Sequence, residues 1–125
     1  KTVKAIMIAC HRKPNKSELL CNSIIQLHFP NIFIYTGDGK VIIDGRCPDF
    51  TNERDKKVIL HHGDWWHFNM LKRIDPSLTR EQIEKEDKDF YRKYGYDCLI
   101  IWEHELENID DIVKKIEKFL ENEKK

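Results

Sequence analysis

Residues 48–67, PDFTNERDKKVILHHGDWWH, contain the most informative pattern in the chain. Its apolar run Val58–Leu60 is continuous, which predicts a strand over Lys57–His62 that is buried on both faces. An acid, Asp49, precedes this strand, and histidines occupy its end and the segment after it. Folding alone gains nothing from placing ionisable groups around a buried strand, so the pattern indicates a site for chemistry.

The segments before this strand predict one helix and two strands. A capping box of Asn15 and Glu18 begins the helix, and Pro30 ends it. The turn-prone residues GDG then predict a hairpin between strands over Ile32–Thr36 and Val41–Asp44. Residues 2–10 are apolar and fit either a helix or a strand, because periodicity does not decide between them.

The segments after the central strand predict two helices around a fourth strand. Thr79 with Gln82 begins a helix that continues to Lys93, and the apolar run Cys98–Trp102 is the strand. Asn108 then begins an amphipathic helix with a 3.6-residue period. The order α, β, β, β, α, β, α predicts an α/β fold with a mixed central β-sheet flanked by helices.

The composition fits one domain that spans residues 1–125. With 40% hydrophobic and 10% aromatic residues, the chain can bury a core. The 22 Lys and Arg residues balance 22 Asp and Glu residues, so the whole-chain field offers no strong attraction to DNA. Nucleic-acid binding then requires a local patch or a second module. The chain begins with Lys1 instead of Met, which suggests a domain cut from a longer protein.

The cysteines and the apolar runs indicate the compartment. Cys10, Cys21, Cys47 and Cys98 contain no CxxC pair, which argues against a zinc ribbon and a disulfide scaffold. We expect reduced thiols in an intracellular protein. No apolar run reaches the roughly 18 residues of a membrane span, and no signal-like start is present, so we expect a soluble, cytoplasmic protein without a membrane partner.

Asp49 and three histidines form the candidate site. A carboxylate between a turn and a buried strand suits Mg²⁺, which prefers oxygen ligands; the alternative is an ordinary turn aspartate after Pro48. His61 and His62 close the strand, and loop geometry can bring His62 and His67 to one phosphate. An imidazole there can take a proton from water or protonate a leaving oxygen. Structural histidines are the alternative, and zinc is not expected because the spacing of a closed site is missing.

Two tryptophans and three acids complete the candidate set. Trp65 and Trp66 are adjacent, so in an extended segment they cannot both face one core. Either one is exposed and able to stack on bases, or one packs in the core and the other covers it. Glu18 is either a site acid or only a member of the helix cap. Glu84 and Asp87 lie in a highly charged helix, where most acids are solvated.

The combined pattern resembles the very short patch repair endonucleases and the related homing endonucleases, within the restriction-endonuclease-like or PD-(D/E)xK superfamily. Three segments carry the resemblance in the family's order: KPNKSELLCNSIIQL (13–27), CPDF followed by KVILHHGDWWH (47–67), and YGYDCLIIWEHEL (94–106). They span most of the chain from Lys13 to Leu106. The string HG-x-[aromatic]-W-H is the most specific of these motifs.

The resemblance implies a role for each matching residue. Asp49 looks like the metal-binding aspartate, and the backbone carbonyl of His61 stands where a second metal contact is made. His62 matches the histidine at the scissile phosphate, and His67 matches the one proposed to activate water. Glu18 is similar to the helix acid that orders water at the metal.

Further matches concern DNA contacts and a last acid. Trp65 and Trp66 fall where family members insert aromatic side chains into the DNA stack. A family aspartate that partners a histidine lies in the helix before the last strand. Counting back from Gly95 gives Glu84, whereas the chemistry favours Asp87, which we take as the candidate.

The chain also departs from the repair members, which hold a structural zinc through cysteines and histidine near this segment. Here Asp64 stands at the first cysteine position and His104 at the last, while Asn69 and Leu71 replace the ligands between them. We therefore expect no structural zinc, and the homing-type relatives become the nearer analogy.

The resemblance thus implies a metal-dependent DNA endonuclease domain with a restriction-endonuclease-like fold. Mg²⁺ would be the cofactor, with Mn²⁺ as a substitute, and double-stranded DNA the partner, beside a fused or separate DNA-binding domain. The expected location is intracellular, at the nucleoid or in a phage-infected cell. The alternatives are a mismatch-directed nicking endonuclease and a non-catalytic nucleic-acid-binding module.

Overall fold

A computed structural model describes residues 15–64 and 68–121. Within these ranges the chain forms four α-helices, four strands and one 3-10 helix. In chain order they are α1 (Lys16–His28), β1 (Ile34–Tyr35), β2 (Phe50–Asn52), β3 (Lys57–His62), α2 (Met70–Ile74), α3 (Arg80–Lys93), β4 (Asp97–Trp102), the 3-10 helix Glu103–Glu107 and α4 (Ile109–Glu121). The predicted α/β class with a mixed sheet flanked by helices is confirmed.

The sheet has the strand order β1-β2-β3-β4. The pairs β1–β2 and β2–β3 are antiparallel, and β3 runs parallel to β4. Every residue of β3 is buried, as its apolar run predicts, because helices cover both faces. Ile59 and Ile101 pack against α1 and α4 on one face, whereas Val58 and Ile100 pack on the α3 face. Successive side chains of β3 therefore enter two different cores.

The predicted helix starts are confirmed by their capping contacts. The side chain of Asn15 accepts a hydrogen bond from the backbone of Glu18, and the Glu18 side chain accepts one from the backbone of Asn15. Thr79 and Gln82 form the same reciprocal pair at the start of α3, and the Asn108 side chain caps α4. These short-range bonds satisfy backbone donors that a helix start leaves without partners.

The helices differ in how much they bury. α4 buries Ile112, Ile116 and Phe119 against the sheet, as expected for an amphipathic helix. The short α2 has no buried residue, and no part of the sequence pattern predicts it. No helix in the two described ranges is long and apolar enough to cross a membrane.

The predicted hairpin between Ile32–Thr36 and Val41–Asp44 is wrong. β1 pairs with β2 instead, and β2 is a strand that the sequence pattern does not predict. The backbone N–H groups of Thr36 and Gly37 both donate to the carbonyl of Asp49, at 2.8 and 3.1 Å. The segment before the central strand therefore occupies the place assigned to the hairpin partner.

A turn forms at the predicted segment Gly37–Gly39, where the Gly39 N–H donates to the Thr36 carbonyl at 3.1 Å, but the two-residue turn typical of a hairpin lies further along the chain. Asp44 and Gly45 both have positive φ, at 45° and 84°, and Ile43 and Arg46 form a bridge across them. Two positive φ values in succession suit a type I′ turn, which Asp-Gly pairs favour. Segment 41–44 thus leads into this turn and adds no strand to the sheet.

Two of the cysteines meet the expectation of reduced thiols, and one does not. Cys21 and Cys98 are free and buried, and burial raises the pKa of each thiol, that of Cys21 to about 12. Cys47 is disulfide-bonded, so the expectation is wrong for this residue. Disulfide formation depends on distances in the fold, which the spacing of cysteines along the chain does not give. Cys10 lies outside the described residues.

Candidate active site

The candidate site forms where β3 extends beyond the end of β2. The register pairs Phe50 with Ile59, and its continuation places Pro48 opposite His61. Proline has no N–H, so the antiparallel ladder cannot supply a donor to the His61 carbonyl at this step. The pairing of β3 with β2 is therefore interrupted beside the last residues of β3.

Asp49 occupies this interruption with its side chain. Its Oδ2 accepts a hydrogen bond of 2.8 Å from the backbone N–H of His61. The N–H and C=O of one strand residue point to the same side, so the His61 carbonyl faces the side on which the Asp49 carboxylate lies. The structure thus brings the predicted metal-binding aspartate beside the predicted carbonyl contact.

Glu18 reaches the same region from the first turn of α1. Its Oε1 lies 3.0 Å from the backbone nitrogen of Asn15, so it acts as a helix cap while it lines the site. Burial is the main cause of the raised pKa of Cys21, and the charges of Asp49 and Glu18 add to it. The two carboxylates line the same cavity.

Asp87 holds His62 on the other face of the sheet. His62 Nε2 and Asp87 Oδ2 lie 2.7 Å apart, with side chains only 10% and 14% exposed. The alternative acid, Glu84, accepts a hydrogen bond of 2.7 Å from Trp102 Nε1. The Trp102 ring packs edge-on against His62, with 5.1 Å between ring centroids. Asp87 is thus the acid that contacts the histidine, and Glu84 orients the ring beside it.

The imidazole of His61 points to the face opposite that of His62, as alternation along a strand requires. Its Nδ1 is 3.1 Å from the Ile101 carbonyl, and its Nε2 is 2.9 Å from the Ser17 hydroxyl. A carbonyl only accepts, so Nδ1 carries a hydrogen. The contact with Ser17 connects β3 to α1 next to Glu18. It joins residues 44 positions apart, so no local pattern marks it.

These groups line one cavity of about 560 Å³. The predicted residues in its walls come from both faces of the sheet and from the segment before β2: Glu18, Asp49, His61, His62 and Asp87. Arg46 and Tyr91 also line it, although the sequence pattern does not single them out. The cavity therefore combines oxygen donors suited to a hard cation with groups suited to proton transfer.

Three predicted site residues, Trp65, Trp66 and His67, lie outside the described residues, and their roles stay predictions. Asp64 precedes them, and its Oδ1 lies 2.7 Å from His104 Nδ1 and 3.3 Å from Arg80 Nη2. Asp64, which the resemblance would align with a zinc-binding cysteine of the repair endonucleases, is thus an ion-paired acid.

The oxygen donors fit a Mg²⁺ ion that takes some of its ligands from the protein and the others from water and a substrate. In residues 15–64 and 68–121, no three His, Cys, Asp or Glu side chains are grouped so as to hold a metal by themselves. Mg²⁺ commonly uses one or two protein carboxylates and completes its coordination with water and substrate phosphate. Asp49, Glu18 and the His61 carbonyl supply hard oxygen atoms of this kind.

No protein-family model, no curated protein and no solved structure matches the chain. The chemistry of the site is therefore what supports a function, and the resemblance to the repair and homing endonucleases stays an expectation from short motifs.

The buried ring of His61 predicts a pH dependence of stability. Burial lowers the pKa of His61, although the Ile101 carbonyl and the Glu18 charge partly oppose this. Between the lowered pKa and the unfolded-state value of about 6.5, the unfolded chain binds more protons than the folded chain. The contribution of the neutral ring is therefore complete above about pH 6.5 and is lost as the pH falls, by at most about 1.4 kcal/mol per pH unit.

Urea unfolding of the wild type and of His61→Gln at about pH 7.5 and about pH 5.5 measures this effect. The decrease in the free energy of unfolding on acidification should be smaller for His61→Gln, because glutamine does not titrate. His28→Gln, at an exposed position of α1, should retain the decrease of the wild type. An equal decrease in the wild type and in His61→Gln would contradict the prediction.

Proposed function

We propose that the chain is a Mg²⁺-dependent DNA endonuclease domain of the homing type, with a restriction-endonuclease-like fold. The observation that carries the proposal is the shared cavity, which combines the Asp49 and Glu18 carboxylates with an imidazole held by Asp87. Phosphodiester hydrolysis requires neutralisation of charge on the phosphate and proton transfer to and from oxygen. The cavity contains groups for both, and the products would carry a 5′-phosphate and a 3′-hydroxyl.

Asp49 and the carbonyl of His61 would hold the metal, with Glu18 lining the same cavity. When bound, Mg²⁺ or Mn²⁺ neutralises charge that develops on the phosphate. The hydrogen bond from the His61 N–H fixes the orientation of the Asp49 carboxylate. A ligand oriented before the substrate arrives loses less entropy on binding.

His62 would contact the phosphate, as the resemblance implies. Asp87 accepts from Nε2, which fixes the ring and the position of one hydrogen. The positive charge of a protonated ring would be balanced by Asp87, so the ring can stabilise the pentacovalent state. His67 would take the proton from the attacking water.

The proposal predicts metal-dependent cleavage by the wild-type protein. Supercoiled plasmid should become nicked and linear with Mg²⁺ or Mn²⁺ and should stay intact with EDTA, as agarose gels will show. His67→Ala should cleave about 100-fold more slowly, because the general base is removed. His28→Ala, which changes an exposed histidine of α1, should cleave like the wild type.

Either of two other results would contradict the proposed function and identify a different one. DNA binding without cleavage in the presence of either cation would identify a non-catalytic binding module. Preferential cutting of one strand of a duplex with a T·G mismatch, relative to the matched duplex, would identify a mismatch-directed nicking endonuclease.

A further inference from the structure

Arg46 is the charged group of the cavity to which the proposed mechanism assigns no role. It is the only Lys or Arg among the described residues that line the cavity, which it shares with Glu18, Asp49 and Asp87. A phosphodiester is an anion, so these three carboxylates oppose its entry. A guanidinium in the same wall reduces this repulsion.

The Arg46 side chain is held by contacts with α3. Its Nη1 lies 3.4 Å from Asp87 Oδ1, and its Nη2 lies 3.9 Å from Glu86 Oε1. The guanidinium carbon lies 3.9 Å from the centre of the Phe90 ring. These contacts fix the position of the side chain. It remains 43% exposed, so it is still accessible to a ligand.

The backbone of Arg46 is held as well. Arg46 follows the Asp44-Gly45 turn, and its N–H and C=O both bond with Ile43, at 3.0 and 2.8 Å. Asp44 accepts a hydrogen bond from the Tyr94 hydroxyl at the end of α3. The turn is thus attached to the same helix that supplies Asp87, so Arg46 and Asp87 keep one relative position.

One carboxylate places two nitrogen donors side by side. Asp87 contacts Arg46 through Oδ1 and His62 through Oδ2. Stacking on Phe90 uses the face of the guanidinium, and its N–H donors lie in the plane. Several of these donors are not needed for the Asp87 contact, because arginine has more N–H groups than one carboxylate oxygen can accept.

We propose that Arg46 binds a non-bridging oxygen of the substrate phosphate in the cavity. The inference rests on the proposed function. It adds a residue that binds phosphate and that lies outside the three segments that carry the resemblance. Guanidinium pairs with phosphate through charge-assisted, often bidentate hydrogen bonds. Arg46 and His62 would then both contact the phosphate, and a metal ion held at Asp49 would neutralise charge on it.

The first test measures phosphate binding without cleavage. Thymidine 5′-monophosphate is titrated with Mg²⁺ into the wild type, Arg46→Gln and Arg46→Lys, by calorimetry or NMR, with thymidine as the control for the base. Arg46→Gln should bind the nucleotide about 10-fold more weakly or worse, because a charged hydrogen bond is lost. Arg46→Lys should be intermediate, since lysine keeps the charge and lacks the planar fork. Arg92→Gln, at an exposed arginine of α3, should bind like the wild type.

The second test separates phosphate binding from simple charge balance. If Arg46 only neutralised Asp87, its removal from the Asp87→Asn protein would not change nucleotide affinity. We expect the Arg46→Gln change to cost about 10-fold in that background as well. Unchanged affinity in Asp87→Asn with Arg46→Gln would overturn the inference.

The combined results distinguish the two proposals. Wild-type cleavage together with unchanged cleavage and nucleotide affinity in Arg46→Gln overturns the role of Arg46 and leaves the endonuclease proposal intact. Nucleotide binding that depends on Arg46, in a wild type that does not cleave DNA, supports the phosphate site and overturns the endonuclease proposal. If circular dichroism shows that Arg46→Gln is unfolded, Arg46→Lys decides, and wild-type affinity in that variant overturns the inference.

Discussion

Replacement of Asp49 by asparagine is expected to lower Mg²⁺-dependent DNA cleavage about 1,000-fold, which corresponds to about 4 kcal/mol. The amide oxygen can still accept the hydrogen bond from the His61 N–H, which lies 2.8 Å from Oδ2, so the fold should be retained. The amide has no charge with which to hold the cation. The nicking rate and the metal concentration that gives the half-maximal rate are the quantities to measure.

Asp38→Asn is the matched control for this variant. Asp38 accepts a bond from the Lys40 backbone at 3.2 Å and is not among the residues that line the cavity, so cleavage should equal that of the wild type. Asp49→Ala should in addition lower stability by about 1–3 kcal/mol, because the His61 N–H loses this acceptor. Wild-type cleavage by Asp49→Asn would remove Asp49 from the proposed metal site.

The second large effect is expected at Asp87. Asp87→Asn should slow cleavage about 100-fold or more, because the amide cannot balance charge on His62. The amide can also turn its NH₂ group toward Nε2, which lies 2.7 Å from the present carboxylate oxygen, and so favour the other tautomer of the ring. Single-turnover cleavage measures the effect on the chemical step.

Glu84→Gln tests the assignment, because Glu84 lies on the same face of α3 one turn earlier. Glutamine retains an oxygen for the Trp102 N–H, now 2.7 Å from Oε2, so cleavage should stay close to wild type. The double variant His62→Gln with Asp87→Asn should be no slower than His62→Gln alone, since the two residues act as a unit. A large loss in Glu84→Gln with none in Asp87→Asn would exchange the roles of the acids.

Local signals are sufficient for the helix starts and for the two central strands. The contacts of Asn15 with Glu18 and of Thr79 with Gln82 span three residues, so a short window of sequence contains both partners. β3 and β4 each contain a short continuous apolar run, which predicts a strand buried in the sheet. The helices α2 and α3 lie between them in the chain, and a long helical connection suits their parallel pairing.

The partner of β1 was not predictable, because it depends on contacts between distant residues. The buried Thr36 hydroxyl lies 2.8 Å from the Pro48 carbonyl and 2.8 Å from the Thr51 hydroxyl. In the segment Gly37–Gly39, which predicts the hairpin, only Gly39 has a positive φ, at 97°. Turn residues indicate where a chain can reverse, and the buried polar pairs determine which segment then becomes its neighbour.

The candidate site likewise contains some residues that the local sequence marks and others that only the fold brings together. Asp49 and His62 are marked by their place around a buried strand, so the sequence alone predicts them. Glu84 and Asp87 are nearly equivalent in the sequence, and packing separates them, since one meets Trp102 and the other His62. Arg46 contacts Asp87 across 41 residues, so nothing in its own neighbourhood marks it.

The alternation of His61 and His62 across β3 has a consequence for how the site assembles. Each of the two helical layers is anchored to one of two consecutive residues, Ser17 of α1 to the first and Asp87 of α3 to the second. A slip of β3 by one position would turn both rings away from their partners together. The register of β3 therefore determines the contacts of both helical layers with the site at the same time.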